Sequence, residues 1–220
     1  GSTGTFLMKD GTITDNTATK GGGGYVSPGS TFTMEGGTIT GNTADSRGGG
    51  VCVDNLPGST TFTMKGGTIT GNTVTSGNSG GVYIGSSSTL MVSGGVKITD
   101  NKSGENQNNV YFEGTNLITI AGALTGGDKS IGVTTKSTLS YQQTLTKPFA
   151  TAGENYTLTD QDAACFVSDQ GYFPARVNNE VQLLYTEPHV HFICGVSRGE
   201  TCGHVGDAHT EELAWIGITK

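Results

Sequence analysis

Residues 31–44, TFTMEGGTITGNTA, return almost letter for letter at 61–74 as TFTMKGGTITGNTV. A looser copy, TFLMKDGTITDNTA, stands at 5–18, and a worn one, TLMVSGGVKITDNK, at 89–102. Their central isoleucines, Ile13, Ile39, Ile69 and Ile98, are 26, 30 and 29 residues apart. Self-similarity at a period of about 20–50 residues restricts a chain to solenoids, propellers and arrays, in which each unit buries its apolar face against the next copy.

Within a copy the period is two. Phe32 and Met34 alternate with Thr31, Thr33 and Glu35, and Phe62 and Met64 alternate with Thr61, Thr63 and Lys65, the pattern of a strand with one buried face. A Gly-Gly pair then allows a bend through positive φ. A second strand follows with one inward residue, Ile39 or Ile69, between two outward threonines. After a glycine-rich corner comes a third: Val51 and Val53 around Cys52, Val82 and Ile84 around Tyr83, Val110 and Phe112 around Tyr111. No helical period intervenes. The expected fold is all-β, a right-handed parallel β-helix with three short strands per rung.

Composition agrees. Glycine is 37 of 220 residues and proline only 5, so the two stay below the roughly 25–30% of low-complexity chains, and the glycines read as corners. A net charge of −7 argues against nucleic acid or an anionic membrane surface as partner, since both require a basic face. No run approaches the roughly 18 apolar residues of a membrane span.

Residues 1–135 are expected to hold the rungs, the last degenerate but keeping Ile118, Ile120, Leu124, Ile131 and Val133 at apolar spacing. Decay of the motif towards one end is how a capping rung reads. Residues 136–186 lose the period and are expected to form a cap of a few irregular strands. There Phe166, Val167, Tyr172 and Phe173 are candidates for closing the coil, and residues 178–180 (NNE) for a hairpin turn. Residues 187–220 form a Cys/His-rich segment leading to a next module.

The GGTITGNTA repeats with third strands such as GGVYI resemble the β-helix repeats of large secreted or wall-attached surface proteins of Gram-positive gut bacteria, themselves loosely related to polymorphic outer-membrane and autotransporter passenger repeats. In such proteins a Cys/His segment similar to HVHFICGVSRGETCGHVGDAHTEE often follows the coil, and a tryptophan-led strand like residues 213–216 opens the next module. The resemblance implies an extracellular, cell-surface or secreted, adhesin-like scaffold without enzymatic activity. It would be a monomeric unit of a longer multi-module chain, with host or cell-wall glycans or surface proteins as partners.

Stacked rungs turn sequence columns into ladders. Asn16, Asn42, Asn72 and Asn101 share a corner where side-chain amides can bond to one another and to the turn backbone. Lys9, Glu35 and Lys65 form an outward column of alternating sign. Thr12/Thr14, Thr38/Thr40 and Thr68/Thr70 repeat a Thr-x-Thr pattern, but the drifting rung length and Lys97 in the fourth rung argue against a flat ice-binding array. Tyr25, Cys52, Tyr83 and Tyr111 share the outward position of the third strand. The tyrosines are the candidate ligand-binding column, able to stack on sugar rings or else to pack on one another beneath a loop.

The same fold hosts pectate-lyase-like and glycosidase chemistry, so a carbohydrate-binding or carbohydrate-cleaving β-helix is the alternative reading. Glycosidases require two converging carboxylates. Here Asp10, Glu35, Asp45 and Asp54 fall in different columns, and no catalytic constellation is expected.

The tail reads His189-x-His191-x2-Cys194-x7-Cys202-x-His204-x4-His209. Imidazole and thiolate are the preferred zinc ligands and a closed structural site takes four, so these six are candidate ligands for zinc or another transition metal. A Cys194–Cys202 disulfide is the competing reading outside the cell. The coil itself requires no cofactor. Cys165, in the apolar AACFV, is expected in the core.

Overall fold

A computed structural model describes residues 3–54, 60–136 and 148–184, all within one compact unit, Gly1–Thr186. The first rung comprises β1 (Thr5–Met8), β2 (Thr12–Thr14), β3 (Thr17–Lys20) and β4 (Gly24–Val26). The second repeats them as β5 (Thr31–Met34), β6 (Thr38–Thr40), β7 (Thr43–Arg47) and β8 (Val51–Val53). In the third, the first two strands fuse into β9 (Thr60–Thr70), followed by β10 (Thr73–Val74) and β11 (Val82–Ile84). The fourth holds β12 (Ser88–Thr99), β13 (Lys102–Ser103), β14 (Asn106–Gln107) and β15 (Val110–Phe112). Then come β16 (Ile118–Leu124), β17 (Ile131–Thr134), β18 (Ala150–Ala152), α1 (Asp160–Ala164), β19 (Phe166–Ser168), β20 (Phe173–Val177) and β21 (Glu180–Leu184).

Within the coil the corresponding strands of successive rungs pair in parallel, in the register of the repeat, whereas β14 is antiparallel to β13. Thr31 pairs with Thr5 and Thr61, Ile39 with Ile13 and Ile69, and Cys52 with Tyr25 and Tyr83. The fold is a parallel β-helix of about 5 turns. Its interior is the set of inward columns: Met8, Met34 and Met64; Phe32 and Phe62; Ile39, Ile69 and Ile98; Val51, Val82 and Val110. The Phe32 and Phe62 rings stack at 4.7 Å between centroids. Each such side chain stabilises the fold by about 1.5–3 kcal/mol through burial, and the rungs share the burial.

Several details depart from expectation. A rung contains a fourth short strand, after the asparagine corner: β3, β7, β10 and β13, with β14, form a separate five-stranded sheet. The extra residue of the fourth copy is absorbed as a β-bulge, since Val92 pairs with Met64 but Gly95 with Gly66, and Ile98 still meets Ile69. Gly94 makes this possible with φ +69°, its missing Cβ leaving space 2.3 Å from the Lys65 carbonyl oxygen.

Parallel stacking also runs past residue 135. β18 lies on β16 and β19 on β17, so Ala150 meets Ile118 and Phe166 meets Ile131. Between them is the five-residue α1, with Thr159 as N-cap and Asp162 completing a capping box. The hairpin β20–β21 closes the end through a two-residue turn with Asn178 at φ +56°. Phe166 and Cys165 are buried and Phe166 packs edge-on to Phe149, whereas Phe173 is exposed and closes nothing. Among the described residues no helix is long and apolar enough to cross a membrane.

Candidate functional site

The third strands carry the tyrosine column on their outward side. The register places Tyr25, Cys52, Tyr83 and Tyr111 on successive rungs, as the repeat requires. Their exposure is not uniform. Tyr25 is 45% exposed, but Tyr83 is 0% and Tyr111 6%, and with Cys52 these form a small apolar cluster of their own, separate from the interior of the coil. The Tyr83 and Tyr111 rings stack at 6.1 Å, and the Arg47 guanidinium, at the end of β7, lies 4.9 Å from the Tyr83 ring centroid. The column of three tyrosines therefore presents one accessible ring, Tyr25; Tyr83 lies beneath Arg47 and stacks on the buried Tyr111.

Carboxylates on neighbouring positions hold the phenols. The Tyr25 hydroxyl donates to Asp54, one rung on, and Lys20 Nζ is 3.5 Å from the same carboxylate. The Tyr83 hydroxyl donates to Glu113 at 2.9 Å, and Lys136 reaches Glu113 at 4.0 Å. Burial, then the Asp54 hydrogen bond and charge, pushes the Tyr25 phenol up to about 12. Burial, then the Glu113 hydrogen bond, raises Tyr83 further. Burial and the Asp54 charge push the Cys52 thiol up to about 12 against the opposing pull of Lys20 and Arg47. A thiol held protonated is a poor nucleophile.

The asparagine column is a continuous ladder. Asn16 Nδ2 donates to Asn42 Oδ1, Asn42 to Asn72 and Asn72 to Asn101, each at 2.9 Å. Each acceptor oxygen also takes the backbone N–H of the preceding asparagine, at 3.0–3.1 Å. The second amide hydrogen caps backbone carbonyls, as when Asn72 Nδ2 donates to Ile39 and Thr70. The ladder continues through two residues the repeat does not announce. Asn101 donates to Asn109 Oδ1 at 3.0 Å, and Asn109 donates to Asp169 Oδ1 at 2.6 Å. The sequence signal for Asn109 is NNVYF where earlier rungs read GGVYI and GGVCV: an asparagine replaces the glycine that enters the third strand. Asp169 carried no signal.

The outward charged column is present as a Lys65–Glu35 ion pair at 3.1 Å, exposed at both ends; such pairs contribute about 0–1 kcal/mol. The tail candidates His189, His191, Cys194, Cys202, His204 and His209 lie outside the described residues. Compared with protein-family models, curated proteins and solved structures, the chain matches none.

Proposed function

We propose that this chain is a non-enzymatic β-helical scaffold, a stalk or adhesin-like repeat module of a bacterial surface or secreted protein. The observation that carries the reading is the unbroken amide ladder from Asn16 to Asp169. The most conspicuous polar residues of the repeat satisfy one another and the turn backbone, which makes a stiff rod. The buried ring of Tyr83, its phenol held by Glu113 and its face stacked on Tyr111, serves the same end. The resemblance to Gram-positive surface repeats supports an extracellular location for such a rod. The Cys/His tail then acts as a linker ordered either by zinc or by a Cys194–Cys202 bridge.

A second reading, carbohydrate binding, is favoured by one feature: Tyr25 presents an exposed ring whose hydroxyl is held by Asp54, a rigid platform of the kind sugars stack on. A glycan array probed with the protein and its Tyr25→Ala variant separates the two. No glycan bound by the parent supports the scaffold; binding that disappears with Tyr25 overturns it.

A further inference from the structure

We propose that Asp10 is a site of spontaneous backbone modification: with Gly11 it closes to a succinimide and reopens as an isoaspartyl link, which the coil absorbs without unfolding. Asp10–Gly11 is the only Asp-Gly pair in the chain, and the sequence contains no Asn-Gly. The corresponding pairs of the next two copies are Gly36–Gly37 and Gly66–Gly67, so the corner between the first and second strands does not itself require an acid.

The geometry brings the reacting groups together. The Gly11 N–H donates to Asp10 Oδ1 at 2.7 Å, which sets the backbone nitrogen on the side-chain carboxyl, the approach that a near-attack arrangement requires. A glycine there presents no Cβ to the closing ring, and its φ of +95° is one that glycine adopts without strain. The Gly11 nitrogen attacks Asp10 Cγ. The N–Cγ bond forms, a Cγ–O bond breaks, and the oxygen leaves as water, taking the amide proton and a carboxyl or solvent proton. Water then adds to the ring at Cγ, restoring aspartate, or at the former main-chain carbonyl, leaving the chain to run through Cβ and Cγ with the α-carboxylate free. The product is an isomer of the parent, and no oxidant or reductant takes part.

Isomerisation lengthens the main chain by one carbon, and this corner is where the repeat takes up extra length. The strands on either side are pinned to the second rung: the Glu35 N–H donates to the Met8 carbonyl and the Thr38 N–H to the Gly11 carbonyl, each at 2.8 Å. In the fourth copy the same corner holds a whole extra residue as a β-bulge, with Ser93 and Gly94 opposite Lys65 alone, and Ile98 still meets Ile69. Asp45–Ser46, a second aspartate before a small residue, lies within β7, where the Asp45 carbonyl accepts the Ser76 N–H at 3.0 Å. Ring closure there would disrupt a paired strand.

The test ages the full chain in neutral buffer beside a peptide of residues 5–18 and reads isoaspartate with an isoaspartate-specific carboxyl methyltransferase and a labelled methyl donor. Electron-transfer fragmentation assigns the position. Isoaspartate is expected to accumulate at position 10 at a rate comparable to the peptide's, and to be lost in Asp10→Glu, whose longer side chain closes such a ring poorly. Converted chains, separated from the parent by chromatography, are expected to keep cooperative unfolding. Conversion at position 10 that is many-fold slower than in the peptide, or that falls on Asp45 instead, overturns the proposal, because the folded corner then protects the pair. So does a converted chain that no longer unfolds cooperatively, because the corner then fails to absorb the added carbon. Neither outcome bears on the scaffold or the carbohydrate reading.

Discussion

Asn109 donates its side-chain amide to one oxygen of Asp169 at 2.6 Å and its backbone N–H to the other at 2.7 Å, across 60 residues of sequence. The amide ladder of the coil thus ends on a carboxylate, the strongest acceptor a side chain offers, and Thr134 Oγ1 adds a third hydrogen bond at 2.7 Å. Repeat and cap are joined through this contact.

The ladder predicts unequal costs for equal substitutions. Asn72→Ala removes a fully buried amide: the backbone N–H of Asn42 loses its acceptor, and Asn42 Nδ2, Asn101 Oδ1 and the Ile39 carbonyl each lose one hydrogen bond. At about 1–3 kcal/mol for a buried unsatisfied group, a loss of about 3 kcal/mol or more is expected in urea titration. Asn16→Ala, at the exposed end, should cost about 1 kcal/mol or less. Equal costs would mean that the ladder contributes no more than its members do singly.

The tyrosine column predicts a second asymmetry. Tyr83→Ala empties a buried site and strips Glu113 and Arg47 of contacts, so a loss of about 3 kcal/mol or more is expected, in the range of other buried aromatic truncations. Tyr25→Ala removes a half-exposed ring and should cost clearly less in the same titration. The reverse order would contradict the burial of the column.

Asp162 is buried, and burial alone would raise its pKa. Hydrogen bonds from the Leu124 N–H, the Thr159 side chain and backbone, and the Tyr156 hydroxyl outweigh this and hold it below the ordinary value. A depressed carboxyl contributes stability that is present above the unfolded value, about 3.9, and is lost as pH falls through the folded value. Asp162→Asn is therefore expected to destabilise at pH 7, with the gap between parent and variant narrowing below about pH 4. A gap that stays constant down to acid unfolding would show that Asp162 does not act through its charge.

For the tail, zinc in stoichiometric amount by elemental analysis, lost on Cys194→Ser, is the expected outcome, since metal would supply most of the order of so short a segment. A Cys194–Cys202 bridge found by intact mass in metal-free protein would replace zinc with a disulfide-closed linker.

Much of the coil could be read in advance because its information is local. Phe32/Met34 and Phe62/Met64 alternate with period two, Ile39 and Ile69 repeat the inward position, and identical letters in successive copies can stack in only one register. What escaped reading has physical causes. The fourth strand, TADSR in β7, has no apolar alternation because only Ala44 on it is fully buried. The five residues of α1 are too few to display a helical period, although Thr159 and Asp162 spell its capping box. Arg47 covers Tyr83 only once β7 has folded beside it, and Asp169 meets Asn109 only through the closing turn. The spacing puts the tyrosines in one column, but exposure depends on what packs over that column, which spacing does not encode.

Every inference above rests on one dry, rung-shared interior, and two substitutions at neighbouring positions test it most directly. Ile69 is 0% exposed between Ile39 and Ile98, whereas Thr68 faces outward beside it. Ile69→Asp places an unpaired charge among apolar side chains with no route to water, and the far-ultraviolet β signal and cooperative unfolding are expected to be lost. Thr68→Asp is expected to retain both, with a stability change within about 1 kcal/mol. Equal damage from the two, or a folded Ile69→Asp protein, would contradict the stacked coil.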